Sequence, residues 1–155
     1  MARRAPDEVE VLQEATRLLA GVALRSLEAL DGAVTLPQYR LLAVLSDLGE
    51  VRSARVADAL GLEASTVTRL VDRLIAAGHV IRDADPTNRS AVTLRLTPTG
   101  EELVTQVVSW RHGELARMLD CLTQSDRRAL TRSLERLVAA AADGYGATAV
   151  HRLPL

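Results

Sequence analysis

SARVADALGLEASTVTRLVDRLIAAGHVIR, residues 53–82, is the stretch whose reading decides the fold. Its apolar residues form two sets. Ala57, Leu60 and Leu62 close one short helical face, and Val67, Leu70, Val71 and Leu74 recur at the three-and-four spacing of a second helix. Gly61 stands between them, where a residue without Cβ lets the chain turn sharply. Two apolar faces meeting across such a corner make a helix-turn-helix. The spacing predicts helices over 54–60 and about 64–77, the second stopped by Gly78.

The polar positions of the second helix are Ser65, Thr66, Thr68, Arg69 and Arg73. Short hydroxyls near a helix N-terminus approach phosphates or base edges, and the helix dipole favours anions there. An arginine at Arg69 reaches the O6 and N7 of guanine as a fork. Any surface helix shows such residues, so their surroundings decide. Between residues 52 and 95 seven arginines face five acids, a local net charge of +2 that leaves the rest of the chain at −3. The asymmetry is small but has the sign that nucleic acid needs.

Working outward, RDADPTNRSAVTLRLTPTG, residues 82–100, breaks the helical pattern. HVIRDA reads as a strand, Asp85 to Ser90 as a turn, and AVTLRLT as a second strand of a hairpin. Thr97 then caps a long helix with Pro98 at its first position and Glu101 and Glu102 at its positive end. Its apolar positions are Val104, Val108, Leu115, Met118 and Leu122. Thr123 and Asp126 resemble a capping box before a last helix with Leu130, Leu134, Leu137, Val138 and Ala141. Upstream, Asp7 and Glu8 open a helix that closes at Asp31-Gly32, and Thr35 with Pro37 opens another that runs to Gly49. The outer helices carry more apolar stripe than one small core covers, so a second copy of the chain is expected as partner.

Composition sets the bounds. The 155 residues suit one compact domain, and an apolar fraction of 48 % suffices for a core. Phe is absent, so the core is expected to be aliphatic. All 19 basic residues are arginine, yet the net charge is −1, and binding to nucleic acid has to come from a local patch. No apolar run nears the roughly 20 residues needed to span a bilayer, and the N-terminus lacks a signal-peptide pattern. A single cysteine excludes an internal disulfide framework and suits a reducing compartment. A cytoplasmic protein without membrane attachment is expected. No nucleophile–base set or phosphate loop suggests an enzyme, and His79, His112 and His151 form no metal-ligand spacing. Neither cofactor nor metal is expected.

TLPQYRLLAVL, VADALGLEASTVTRLVDRLIAAGHVIR and VTLRLTPTGEEL closely resemble the MarR family of bacterial transcriptional regulators, over roughly residues 35–105. The fold this implies is mainly α with a small β-hairpin: a winged helix-turn-helix flanked by N- and C-terminal dimerisation helices. The winged lobe is expected over 35–97, the dimerisation region over 1–34 and 98–147, and a tail over 148–155. The resemblance implies a homodimer on a pseudopalindromic double-stranded DNA operator, recognition helices in major grooves and wings in flanking minor grooves. The expected function is regulation of transcription, as a repressor released by a small aromatic or phenolic effector. Arg55, Ser65, Thr66, Thr68, Arg69, Arg73 and Arg89 are the expected DNA contacts. Tyr39, Arg40, Trp110, Arg111 and His112 are the expected effector pocket, although each also reads as a packed or solvated residue. Cys121 reads as a buried, inert thiol.

The chain departs from the family at the wing. The usual Asp-x-Arg falls on Asn88 and Ser90, which leaves Arg89 alone at the tip. Asp72 matches the family acid that holds a wing arginine, and Asp72, Asn88 and Ser90 are therefore the wing-support positions. Arg89 is expected to reach DNA without a tether to Asp72. Glu63, a poor N-cap, precedes the recognition helix where the family commonly has Ser-Pro at 63–64. The alternative reading is a dimeric winged-helix interaction module with weak or no specific DNA binding.

Overall fold

The computed structural model describes residues 7–85 and 88–145, with side chains at all of these except 85, 88–91 and 142–145. The order is α1 (Glu8–Glu28), α2 (Leu36–Leu48), β1 (Val51–Arg52), α3 (Ser53–Leu60), α4 (Ala64–Ala76), β2 (Val80–Asp85), β3 (Asn88–Leu96), α5 (Pro98–Leu119) and α6 (Gln124–Tyr145). The expected mainly helical, winged architecture is what is observed. The tail over 148–155 and the hairpin tip at 86–87 lie outside the described residues.

Local chemistry explains the boundaries. Asp7 accepts from the Val9 amide at 3.4 Å, and the Asp7 amide donates to Glu10 Oε2 at 3.3 Å, a capping box that opens α1. Thr35 and Gln38 form the same device at α2, where the Thr35 amide donates to Gln38 Oε1 at 2.8 Å. The turn between these helices runs through Asp31 at φ 51° and Gly32 at φ 75°. Gly61 ends α3 in the left-handed region at φ 65°, which forms the helix-turn-helix corner.

The core lies where α2, α3, α4, the sheet and the first half of α5 converge. Leu41, Leu42, Leu45, Val56, Val67, Val71, Leu74, Leu94 and Val107 are fully buried. α1 adds Val22, Ala23 and Leu27 from its second half only. On α5 the buried face is Leu103, Val104 and Val107, whereas Val108 is 54 % exposed and belongs to the uncovered apolar stripe.

The sheet differs from the expected hairpin in two ways. Its strand order is β1-β3-β2, all antiparallel, with Val51 opposite Leu94 and Arg52 opposite Thr93. β1 was not expected. Thr93, buried, fixes it by donating its hydroxyl to Glu50 Oε1 at 2.8 Å. Asn88, Arg89 and Ser90, expected in a turn, belong to β3, and the ladder shifts register between Ala84 and Asp85. Continued pairing across that shift lets the strand run on toward the tip.

α6 stands apart. None of its described side chains is buried. It is tied to the end of α5 by Arg127, which donates to Asp120 Oδ1 at 3.1 Å and to the Leu122 carbonyl at 3.2 Å. Leu130, Leu134, Leu137 and Val138 face outward on it, as do Val9, Leu12, Leu18 and Leu19 on α1. Cys121, expected buried, is exposed, because the α5–α6 turn carries it beyond the core.

Candidate nucleic-acid interface

α4 is amphipathic in a way that leaves one face free. Val67, Leu70, Val71 and Leu74 are buried, and Ser65, Thr66, Thr68, Arg69 and Arg73 are all exposed. Arg55 on α3 is exposed as well. The five recognition-helix positions thus share one helix's outer surface, over a core that fixes the helix axis.

The start of α4 has no side-chain cap, as expected from Glu63. The Thr66 and Val67 amides bond to the Glu63 carbonyl at 2.9 and 3.1 Å, which leaves the amides of the first positions directed outward for an anion. Thr68 donates its hydroxyl to the Ala64 carbonyl at 2.9 Å. It can therefore offer a base only its lone pairs and its methyl group. Arg69 and Arg73 have no such internal commitment among the described residues.

Asp72, one of the expected wing-support positions, is tied to the wing at its base. Asp72 accepts at 2.8 Å from Arg82 Nη2, at the base of the wing on β2, with both side chains partly exposed. The short connection from Gly78 brings β2 back along α4, and that places position 82 within reach. Sequence reading counted Arg82 only as part of the basic patch; its position two residues into the strand was the available signal. One strand along, Arg95 Nε donates to Asp83 Oδ2 at 3.1 Å across the ladder. The side chains of Arg89, Asn88 and Ser90 lie outside those described, and so does any contact of Arg89 with Asp72.

The junction from the recognition helix to α5 is tight. The Gly78 carbonyl accepts from the hydroxyls of Thr97 and Thr99, at 2.7 and 2.8 Å. The Thr97 amide donates to the His79 carbonyl at 3.0 Å, and a Cβ placed on Gly100 would meet that same oxygen at 2.2 Å. Gly100 is thus needed for close approach. Its role was not foreseen.

The expected effector residues are only partly gathered. Tyr39 is buried under the Arg111 guanidinium, whose carbon lies 4.9 Å from the ring centroid. Arg111 Nε also donates to Ser26 Oγ at 2.8 Å, and Ser26, fully buried, donates onward to the Ala23 carbonyl at 2.6 Å. Burial pushes the Tyr39 hydroxyl above the usual tyrosine range, against the opposing pull of Arg111, while Asp47 adds to the rise. Arg40 and Trp110 are half-buried, and His112 is exposed. Among the described residues no group of three or more His, Cys, Asp or Glu could hold a metal, and no helix is long and apolar enough to cross a membrane.

The MarR family model matches residues 34–89. The HTH-type transcriptional regulator YsmB of Bacillus subtilis is 31 % identical over 105 residues, covering 68 % of this chain and 72 % of its own length. The crystal structure of RV1404 from Mycobacterium tuberculosis superimposes with a TM-score of 0.81 at 32 % identity, covering 90 % of this chain and 98 % of that one. A mutant MepR from S. aureus bound to an oligodeoxyribonucleotide shares the fold, with a TM-score of 0.71 at 19 % identity over 88 % of this chain and 99 % of that one. With the helix-turn-helix corner at Gly61, the free outer face of α4 and the three-stranded wing, these likenesses identify the chain as a DNA-binding winged-helix transcriptional regulator of the MarR family.

Proposed function

We propose that the chain acts as a homodimer on a pseudopalindromic operator, as a repressor that a small aromatic or phenolic molecule releases. The observation that carries this reading is the outer face of α4, where Ser65, Thr66, Thr68, Arg69 and Arg73 are exposed together above four buried residues. Arg69 and Arg73 supply the charge, the hydroxyls the shorter contacts, and Arg55 and Arg89 the flanking phosphate contacts. The uncovered apolar sides of α1, α5 and α6 support the dimer, since a monomer would leave Leu12, Leu19, Val108, Leu134 and Leu137 in water. The relative crystallised on DNA supports the partner class.

The stacked Arg111–Tyr39 pair is the place for the effector. A phenol or aromatic carboxylate would compete for the Arg111 guanidinium and so loosen α5 from α1, through Ser26. Selection of duplexes from a random library tests the reading. A two-fold related consensus with half-sites about one helical turn apart is expected. Arg69→Ala should blur one base position in each half-site, and Arg89→Ala should weaken all sites alike. Recovery of sequence-blind DNA alone would instead favour a dimeric interaction module.

A further inference from the structure

The exposed side chains of α4 differ in what they have left to offer a nucleic acid. Among the described residues the hydroxyls of Ser65 and Thr66, in the first turn, have no partner and remain free to donate. Thr68, further along the helix, is exposed as well, but its hydroxyl proton is spent on the Ala64 carbonyl at 2.9 Å. That proton cannot also serve the acceptors of the major groove, which are purine N7, guanine O6 and thymine O4. Oγ1 is held back against the preceding turn, so the methyl group takes another staggered position, clear of the hydrogen bond.

Ala64 lies four residues before Thr68, the spacing of neighbours on one helix face, and it too is exposed. The two methyl groups make a small apolar step on a surface whose other side chains, Ser65, Arg69, Asp72 and Arg73 among them, are charged or hydroxylic. An adenine or cytosine amine would have to reach the oxygen that lies back against the helix, whereas a methyl group meets the step directly. Asp72, the nearest carboxylate along the same face, is already engaged by Arg82 at 2.8 Å. Of the four bases only thymine presents a methyl group in the major groove.

We infer that Ala64 and Thr68 together form a thymine-specific contact, in which the C5 methyl group of one thymine in each half-site packs against their two methyl groups. The inference rests on the operator reading proposed above and deepens it: it adds Ala64 to the reading surface, gives Thr68 an apolar role, and names the base. The arginines then supply most of the affinity, and this step supplies discrimination at one position.

Consensus duplexes selected from a random library test the contact, with deoxyuridine replacing thymine one position at a time. Uracil keeps every hydrogen-bonding group of thymine and lacks only the methyl. The readout is the ratio of thymine to uracil affinity, which a general loss of binding does not move. At one thymine per half-site the wild-type chain should bind thymine about fourfold more tightly than uracil. Thr68→Ser keeps the hydroxyl and removes the methyl, and should bring the ratio toward unity; Ala64→Gly should lower it part-way. Thr68→Val keeps a methyl and removes the hydroxyl, and should still discriminate. At the same position 5-methylcytosine should bind more tightly than cytosine. Indifference to uracil at every thymine, a ratio unmoved by Thr68→Ser and Ala64→Gly, or a ratio lost in Thr68→Val would each overturn the inference and leave the operator reading standing. Selection that recovers no consensus would overturn both.

Discussion

Asp72, on the outer face of the recognition helix, is held at 2.8 Å by Arg82 from the base of the wing. The pair ties α4 to the root of the wing. With the side chains 39 % and 56 % exposed, the bond is screened and worth at most about 1 kcal/mol to folding. Its larger effect is expected in DNA binding. Arg82→Ala should leave urea unfolding nearly unchanged and lower operator affinity several-fold. A double-mutant cycle with Asp72→Asn should show coupling in binding that exceeds the coupling in stability; independent effects would mean that the pair does not position the wing.

Gly100 is the least replaceable residue of the junction. An added methyl would overlap the His79 carbonyl, which is backbone and cannot rotate away. Gly100→Ala should therefore destabilise by about 3 kcal/mol or more, measured by denaturant unfolding. Gly113, with nothing near its Cβ position, provides the control, and Gly113→Ala should be neutral or stabilising. A small effect at Gly100 would show the junction to be slack.

Tyr39 predicts an alkaline loss of stability. Burial raises its folded pKa above the unfolded value, so the neutral ring favours folding fully below about pH 10. That contribution disappears as the pH climbs through the raised folded value. As the pH rises above about 10 the wild type should lose more stability than Tyr39→Phe, and well below that the two curves should run parallel. Parallel curves throughout would mean that the hydroxyl ionises as freely in the folded chain as in the unfolded one.

The outer apolar faces predict an assembly that depends on α6. Leu134→Glu with Leu137→Glu places two charges on a face that is bare in the single chain, so the lobe itself should keep its fold. Sedimentation should shift from dimer to monomer, and the thermal midpoint should lose its dependence on protein concentration. A dimer that survives both changes would place the interface elsewhere.

Much of the molecule was legible because its signals are local. The corner at Gly61, the stop at Gly78 and the Thr97-Pro98 start each depend on a few neighbouring residues, and all stand where expected. The outward set on α4 follows from helical period alone. What escaped depends on partners distant in the chain. β1 is two residues long with no pattern of its own, and exists because Leu94 and Thr93 pair with it. Among the described residues Asp72 pairs with Arg82, because the strand's return path brings that side chain to it. Cys121 has apolar neighbours in sequence, yet a turn carries it out to solvent.

The third strand also divides the wing in time. Thr93 and Leu94 have paired neighbours on both sides, β1 and β2, whereas beyond Val92 the strand has β2 alone, past a register shift. A lone two-stranded ribbon is only marginally stable in water, and local opening follows from such uneven support. Amide exchange with deuterated solvent should therefore be slow at Leu94 and Leu96 and rise abruptly past Val92. The root of the wing would open only when the lobe unfolds, while its outer half exchanges on its own, much faster schedule.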